Sequence, residues 1–220
     1  DHAAGGAGSG GLRRTVMKLA IVRQKYTPFG GAERFVARAL DALRARGVDV
    51  SIIARQWQGE VAGIRVDPFF IGRTWRDAGF ARGVRRLIAE RRFGLVQSHE
   101  RIPGCDIYRA GDGVHATWLE LRGKPLDRFA PWHRYTLAAE AAMFGHPDLR
   151  AVICNSRMVR DDIARRFGLA EEKLQVIYNG VDLDTFHPRL RDELGRGLRG
   201  KTGVGTGTPV ILFVGSGYER

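Results

Sequence analysis

The sequence predicts an α/β protein with a Rossmann-like, doubly wound, mostly parallel sheet. Three observations predict it. Short apolar runs alternate with segments of helical period, and two complete strand–helix–strand units stand out, at 19–54 and 151–178. Glycines, carboxylates and imidazoles gather directly after the runs, where sheets of this kind bind ligands.

The first strand is expected at Leu19–Val22. Ala32, Phe35, Val36, Ala39, Leu40 and Leu43 then recur at helical spacing, and Gly47 marks the end of that helix. A strand follows at Val48–Ala54, and a shorter one at Ile64–Phe69. An arginine-rich helix over 75–92 leads into a strand at 94–99. Cys105–Tyr108 is a short apolar patch with strand character, 113–130 read as irregular, and Phe129–Phe144 as a long helix with an alanine-rich face. Ala151–Cys154 is a clear strand, and Asn155 or Ser156 caps a helix that Gly168 stops before a strand at Leu174–Tyr178.

In domain terms, 1–16 are expected to be a disordered leader and 17–188 a Rossmann-like domain. Residues 189–208 are rich in Gly and Arg and read as a linker. The run Pro209–Gly215 is expected to be the first strand of a second domain, with 209–220 its truncated beginning.

Composition narrows the function classes. A hydrophobic content of 44% and a mean hydropathy of −0.24 are those of a soluble globular protein. No apolar run nears the roughly 18–20 residues that span a bilayer, so the expected location is cytoplasmic. Cys105 and Cys154 fit no metal spacing and read as buried thiols. The net charge of +12 favours anionic partners. Seven arginines between Arg73 and Arg92 make either a solvated helix face or a surface for anionic lipid. Nucleic acid is not expected, because no helix-turn-helix, zinc-finger or RNP-like pattern occurs.

Several candidate residues follow strands. Gly30 and Gly31 close the loop after the first strand, where paired glycines and a helix N-terminus suit a phosphate or a sugar, or simply a tight turn. Glu33 opens the helix behind them. His99, Asp106, Asp112 and His115 follow the middle strands and are suited to hydroxyl binding or proton movement, or to surface loops. Asp112 lies between Gly111 and Gly113, which leaves its carboxylate reachable. No metal site is expected, since neither an HxxxH nor a DxD pair appears. Asn179–Gly180 is a turn signal by itself.

Four segments resemble glycosyltransferase family 4, the retaining enzymes of GT-B fold. They are Pro28–Arg34, Val152–Ser156, Val176–Asp182 with Phe186 and Pro188, and Phe213–Ser216. Within that family, Lys25–Gly31, Gln56–Gly59 and Pro103–Asp112 resemble the lipopolysaccharide-core glucosyltransferase branch.

The resemblance implies two facing Rossmann-like domains, the first holding mainly the acceptor and the second mainly the nucleotide sugar. It implies a donor such as a UDP-hexose, no cofactor, and a glycan or lipopolysaccharide acceptor. It implies Gly30 and Gly31 near the donor diphosphate and Asp112 at the reaction centre. Glu33, His99, Asp106 and His115 are the remaining acceptor-side candidates. The donor lobe's basic pair and E-x7-E motif are expected beyond Arg220, so the 220 residues alone are expected to be inactive. The competing expectation is a non-catalytic basic α/β module that binds an anionic membrane or nucleic acid.

Overall fold

Seven strands form one sheet in the computed structural model, which describes residues 17–26, 39–57, 63–90, 93–205 and 207–212. They are β1 (Lys18–Val22), β3 (Asp49–Ala54), β5 (Gly63–Arg65), β6 (Leu95–Ser98), β7 (Ile107–Ala110), β8 (Ala151–Cys154) and β9 (Leu174–Val176). A separate short pair joins β2 (Lys25–Tyr26) to β4 (Gln56–Trp57). The order across the sheet is β5-β3-β1-β6-β7-β8-β9, and every pairing is parallel. Winding runs from β1 out to β5, then restarts at β6 on the other side of β1. This is the predicted doubly wound Rossmann-like class, and the winding reverses between β1 and β6.

Strand alternation divides the core into two layers. On one face Leu19 and Ile21 pack with Val50, Ile52 and Leu40, which belongs to α1, a helix described over 39–44. On the other face Ala20, Val22, Ile53 and Val96 meet Phe80, Ala81 and Val84 of α2 (Gly72–Glu90). That face continues across β7 to β9. There Tyr108, Ala110, Val152 and Cys154 meet Met143 and Phe144 of α4 (Pro131–Phe144), and Val159 and Ile163 of α5 (Arg157–Phe167). Full burial of each large apolar side chain contributes about 1.5–3 kcal/mol.

Local signals explain several boundaries. The Ser156 hydroxyl accepts the Val159 N–H at 3.2 Å, and Gly168, at φ +61°, closes α5. On α2 the buried residues fall on one side and leave Arg82, Arg85 and Arg86 exposed. Cys105 and Cys154 are buried thiols, as expected, and burial pushes them up to about 12 and about 11.

The stretch 113–130 departs from the expected irregular structure. It holds α3 (His115–Arg122) and a 3-10 turn, η1 (Pro125–Phe129). Val114 precedes α3 and supplies no capping side chain. The cap comes instead from Glu140, 25 residues further along the chain, so no local start signal exists to be read.

The chain divides into two compact units between Ile177 and Tyr178. In the second unit α6 (Leu190–Glu193) and α7 (Gly195–Thr202) occupy the stretch expected as a linker. Arg199 Nη1 donates to the carbonyls of Gly205 and Thr208 at 2.7 and 2.9 Å, which folds the end of α7 back on itself. Residues 209–212 have no regular structure, and the rest of the run expected as a strand lies outside the described residues.

Candidate functional site

The carboxyl edge of the sheet brings four loop starts into one row. They are Arg23 and Gln24 after β1, His99 to Arg101 after β6, Gly111 to Gly113 after β7, and Asn155 and Ser156 after β8. Hydrogen bonds lace the row together. His99 N–H donates to the Val22 carbonyl at 3.0 Å, and Asn155 Nδ2 donates to the Gly111 carbonyl at 2.8 Å.

Gln24 is the hub at the winding reversal. Its backbone N–H donates to Glu100 Oε1 at 2.9 Å, and its side-chain amide donates to Asp77 Oδ1 at 2.9 Å. Its carbonyl accepts from the N–H groups of Arg55 and Gln56. Asp77 also accepts from Arg76 at 2.8 Å and from the Trp132 indole at 2.7 Å. Burial alone would raise the Asp77 carboxyl, but these three donors hold it below its ordinary value. Glu100 goes the other way: burial raises its carboxyl, Gln24 opposes this, and the nearby Asp77 charge adds to it.

Behind the β7 loop stands an ion pair between buried Glu140 and partly buried Arg101. Glu140 Oε1 accepts from Arg101 Nε at 2.9 Å and from His115 N–H at 3.0 Å, while Arg101 Nη2 donates to the Gly113 carbonyl at 3.2 Å. His115 is buried and shares a 2.9 Å hydrogen bond with His133, its ring stacked on Trp118 and His133. Burial, helped by Arg101, His133 and Arg73, depresses the His115 ring to about 4. His99, which shares a hydrogen bond with Gln97, is depressed to about 3 by burial together with Arg23 and Arg109. Both imidazoles are therefore neutral near pH 7 and act as hydrogen-bonding groups, not as cations.

The expected site residues divide into three sets. Asp112, exposed on the β7 loop, shares the same sheet edge as His99 and His115, and Arg101 lies within its electrostatic reach. Asp106 stands elsewhere. It precedes β7, at the amino edge of the sheet, where its carboxylate accepts the Val96 N–H at 2.9 Å and pairs with Arg150 at 3.1 Å. A carboxylate so engaged on the opposite edge braces β6 and β8 and does not join the others. Gly30, Gly31 and Glu33 lie outside the described residues.

Arg101, Asp77, Gln24 and Glu140 were not among the expected site residues. One of them carried a signal: Glu140 is the lone charge in the apolar stretch Thr136–Phe144. A single carboxylate in such company is either buried with partners or out of register.

Several known proteins are similar to this chain. Lipopolysaccharide glucosyltransferase WaaG of Escherichia coli K12 is 24% identical over 208 residues, covering 93% of this chain and 56% of its own. A probable transglycosylase of Burkholderia thailandensis is 29% identical over 168 residues, covering 72% and 44%. The chain thus spans about half the length of the curated relatives it matches. A crystal structure of WaaG, a glycosyltransferase involved in lipopolysaccharide biosynthesis, superposes with a TM-score of 0.69 at 23% identity, over 86% of this chain and 52% of that one, a likeness of fold. The family model described as Glycosyltransferase Family 4 matches residues 29–185, which contain six of the seven strands of the sheet, from β3 to β9, and the Asp112 loop, so the chain belongs to that family.

Proposed function

We propose that the chain is the acceptor-binding half of a retaining glycosyltransferase that uses a nucleotide sugar. Its donor in this reading is a UDP-hexose, and its acceptor a lipopolysaccharide-core or other lipid-linked glycan at the cytoplasmic face of a membrane. The observation that carries the proposal is a reachable carboxylate, Asp112, on the carboxyl edge of a Family 4 domain beside Arg101 and the neutral imidazoles.

In this reaction the acceptor hydroxyl attacks the anomeric carbon on the face from which the nucleotide departs. A bond forms between the acceptor oxygen and that carbon, the bond to the nucleotide diphosphate breaks, and the hydroxyl proton passes to the departing diphosphate oxygen. No covalent nucleophile is needed, so the protein contributes position and charge. Asp112 orients the acceptor hydroxyl and faces the positive charge that develops on the sugar ring. His99 and His115 serve as neutral hydrogen-bonding groups. Gly30 and Gly31 are assigned to the donor side by the family resemblance, and Glu33 to the acceptor side. Asp106 has no part in this scheme.

The expected result for Asp112→Ala in the full-length protein is a fall in turnover of about 100-fold with no loss of folding. An unchanged rate would reduce Asp112 to an ordinary loop residue. For the isolated 220 residues the expectation is no transfer from any nucleotide sugar. Measurable product from that chain would overturn the division of labour.

A membrane surface is the partner that the exposed residues favour. Phe69, Ile71, Trp75, Leu121, Leu126 and Phe129 are each at least 60% exposed. Arg73 lies 4.0 Å over the Trp132 ring, which brings the start of α2 to the start of α4, and an Arg122–Asp127 pair at 3.3 Å ties α3 to η1. Exposed cations, Arg73, Arg122, Lys124 and Arg128, stand within a few residues of these apolar groups in the chain. Apolar side chains among basic ones suit a bilayer with anionic headgroups. Among the described residues no helix is long and apolar enough to cross a membrane, so the contact proposed is peripheral.

A further inference from the structure

Glu140 is 1% exposed, yet it carries a carboxylate into the centre of the α3–α4 layer. Its oxygens accept the N–H groups of His115 at 3.0 and 3.1 Å and of Ala116 at 3.4 Å, the open donors at the start of α3. Arg101 then closes the arrangement from the β6 loop, with Nε on Glu140 at 2.9 Å and Nη2 on the Gly113 carbonyl at 3.2 Å. Gly113 has φ +71°, a conformation that side-chain-bearing residues rarely adopt.

As a source of stability this pair is poorly chosen. Burying two charges is costly, and an apolar side chain with a Ser or Asp cap at position 114 would satisfy α3 more cheaply. What an apolar residue cannot do is fix the β7 loop from behind. The ion pair binds both the backbone just after Asp112, at Gly113, and the first turn of α3, while Asn155 holds the backbone just before it, at Gly111. The loop is thus fastened on both sides of a carboxylate that itself points out to solvent.

The geometry assigns to Glu140 and Arg101 the role of positioning residues for Asp112. The pair sets where that carboxylate stands by holding the backbone on its C-terminal side. This rests on the reading of Asp112 as a residue of the reaction centre.

A double-mutant cycle in the full-length protein tests it, with nucleotide release from UDP-, ADP- and GDP-hexoses as the readout. Glu140→Gln is expected to lower kcat at least tenfold with KM for the donor within twofold. In an Asp112→Ala background the same change is expected to cost less than twofold, because the residue it positions is gone. Arg101→Lys, which keeps the charge beside Glu140 but not the second arm to Gly113, is expected to show the same pattern and serves if Glu140→Gln does not fold. Equal losses in both backgrounds would make the pair purely structural and overturn the inference while leaving Asp112 in place. An Asp112→Ala enzyme as fast as its parent would overturn the transfer reading itself, and the inference with it. A parent protein that releases nucleotide from none of the three donors has the same consequence.

Discussion

The carboxylate of Glu100 accepts the backbone N–H of Gln24 across the point where the sheet reverses its winding, at 2.9 Å. The contact ties the loop after β1 to the loop after β6, the two segments that flank the ligand crevice in doubly wound sheets.

Burial raises the Glu100 carboxyl, so ionising it works against the fold. A raised folded value means that stability is highest below the ordinary glutamate range and declines as pH climbs through the folded value. Glu100→Gln keeps an oxygen for the Gln24 N–H and removes the charge. At pH 8 the variant is expected to melt at the parent temperature or a few degrees above it. A clear drop would show that the ionised carboxylate stabilises the loop.

Asp77 has the opposite character. Its carboxylate receives Gln24, Arg76 and Trp132, and Asp77→Ala leaves all three donors without it. The expected cost is about 2–4 kcal/mol, read from urea unfolding. A loss under about 0.5 kcal/mol would mean that water replaces the carboxylate at little cost.

His99 and His115 predict sensitivity to acid. Their folded values, about 3 and about 4, lie below the ordinary imidazole value near 6.5. Between those limits the unfolded chain binds more protons. Stability is therefore full above about pH 6.5 and is lost as pH falls toward 4 and 3. Melting is expected to drop by several degrees between pH 7 and pH 5, and His115→Gln is expected to flatten part of that slope. A level profile would place both rings in contact with water.

The membrane surface is tested by vesicle sedimentation of the full-length protein. Leu126→Asp with Phe129→Asp is expected to weaken binding to phosphatidylglycerol-containing vesicles at least tenfold, as two partly inserted apolar side chains give way to two like charges. Arg85→Ala with Arg86→Ala, on the solvent side of α2, is expected to change it less than twofold. The reverse ranking would move the docking surface to the arginine-rich helix.

Much of the fold was legible because each signal is local. Ser156 and Gly168 mark α5 from within four residues of its ends, and the apolar run Ala151–Cys154 has one reading as a buried strand. Two of the candidate residues, His99 and Asp112, could be placed on the sheet edge for the same reason, since each follows a strand. α3 escaped because its cap is Glu140, on another helix. Asp106 was misplaced because a short apolar patch does not say at which end of its strand a neighbouring carboxylate lies. The strand is Ile107–Ala110, so Asp106 precedes it and Asp112 follows.

The sequence by itself determined the alternation of strands and helices, the parallel class, the buried thiols and the family. These follow from period, turn residues and motif spacing, which a linear chain carries intact. Only the tertiary structure decided which carboxylates are buried, which are paired, and which stand exposed. Asp77, Glu100, Glu140 and Asp112 are chemically almost alike. Their differences come from burial and from donors distant in the chain, and both exist only once the sheet has brought its edges together.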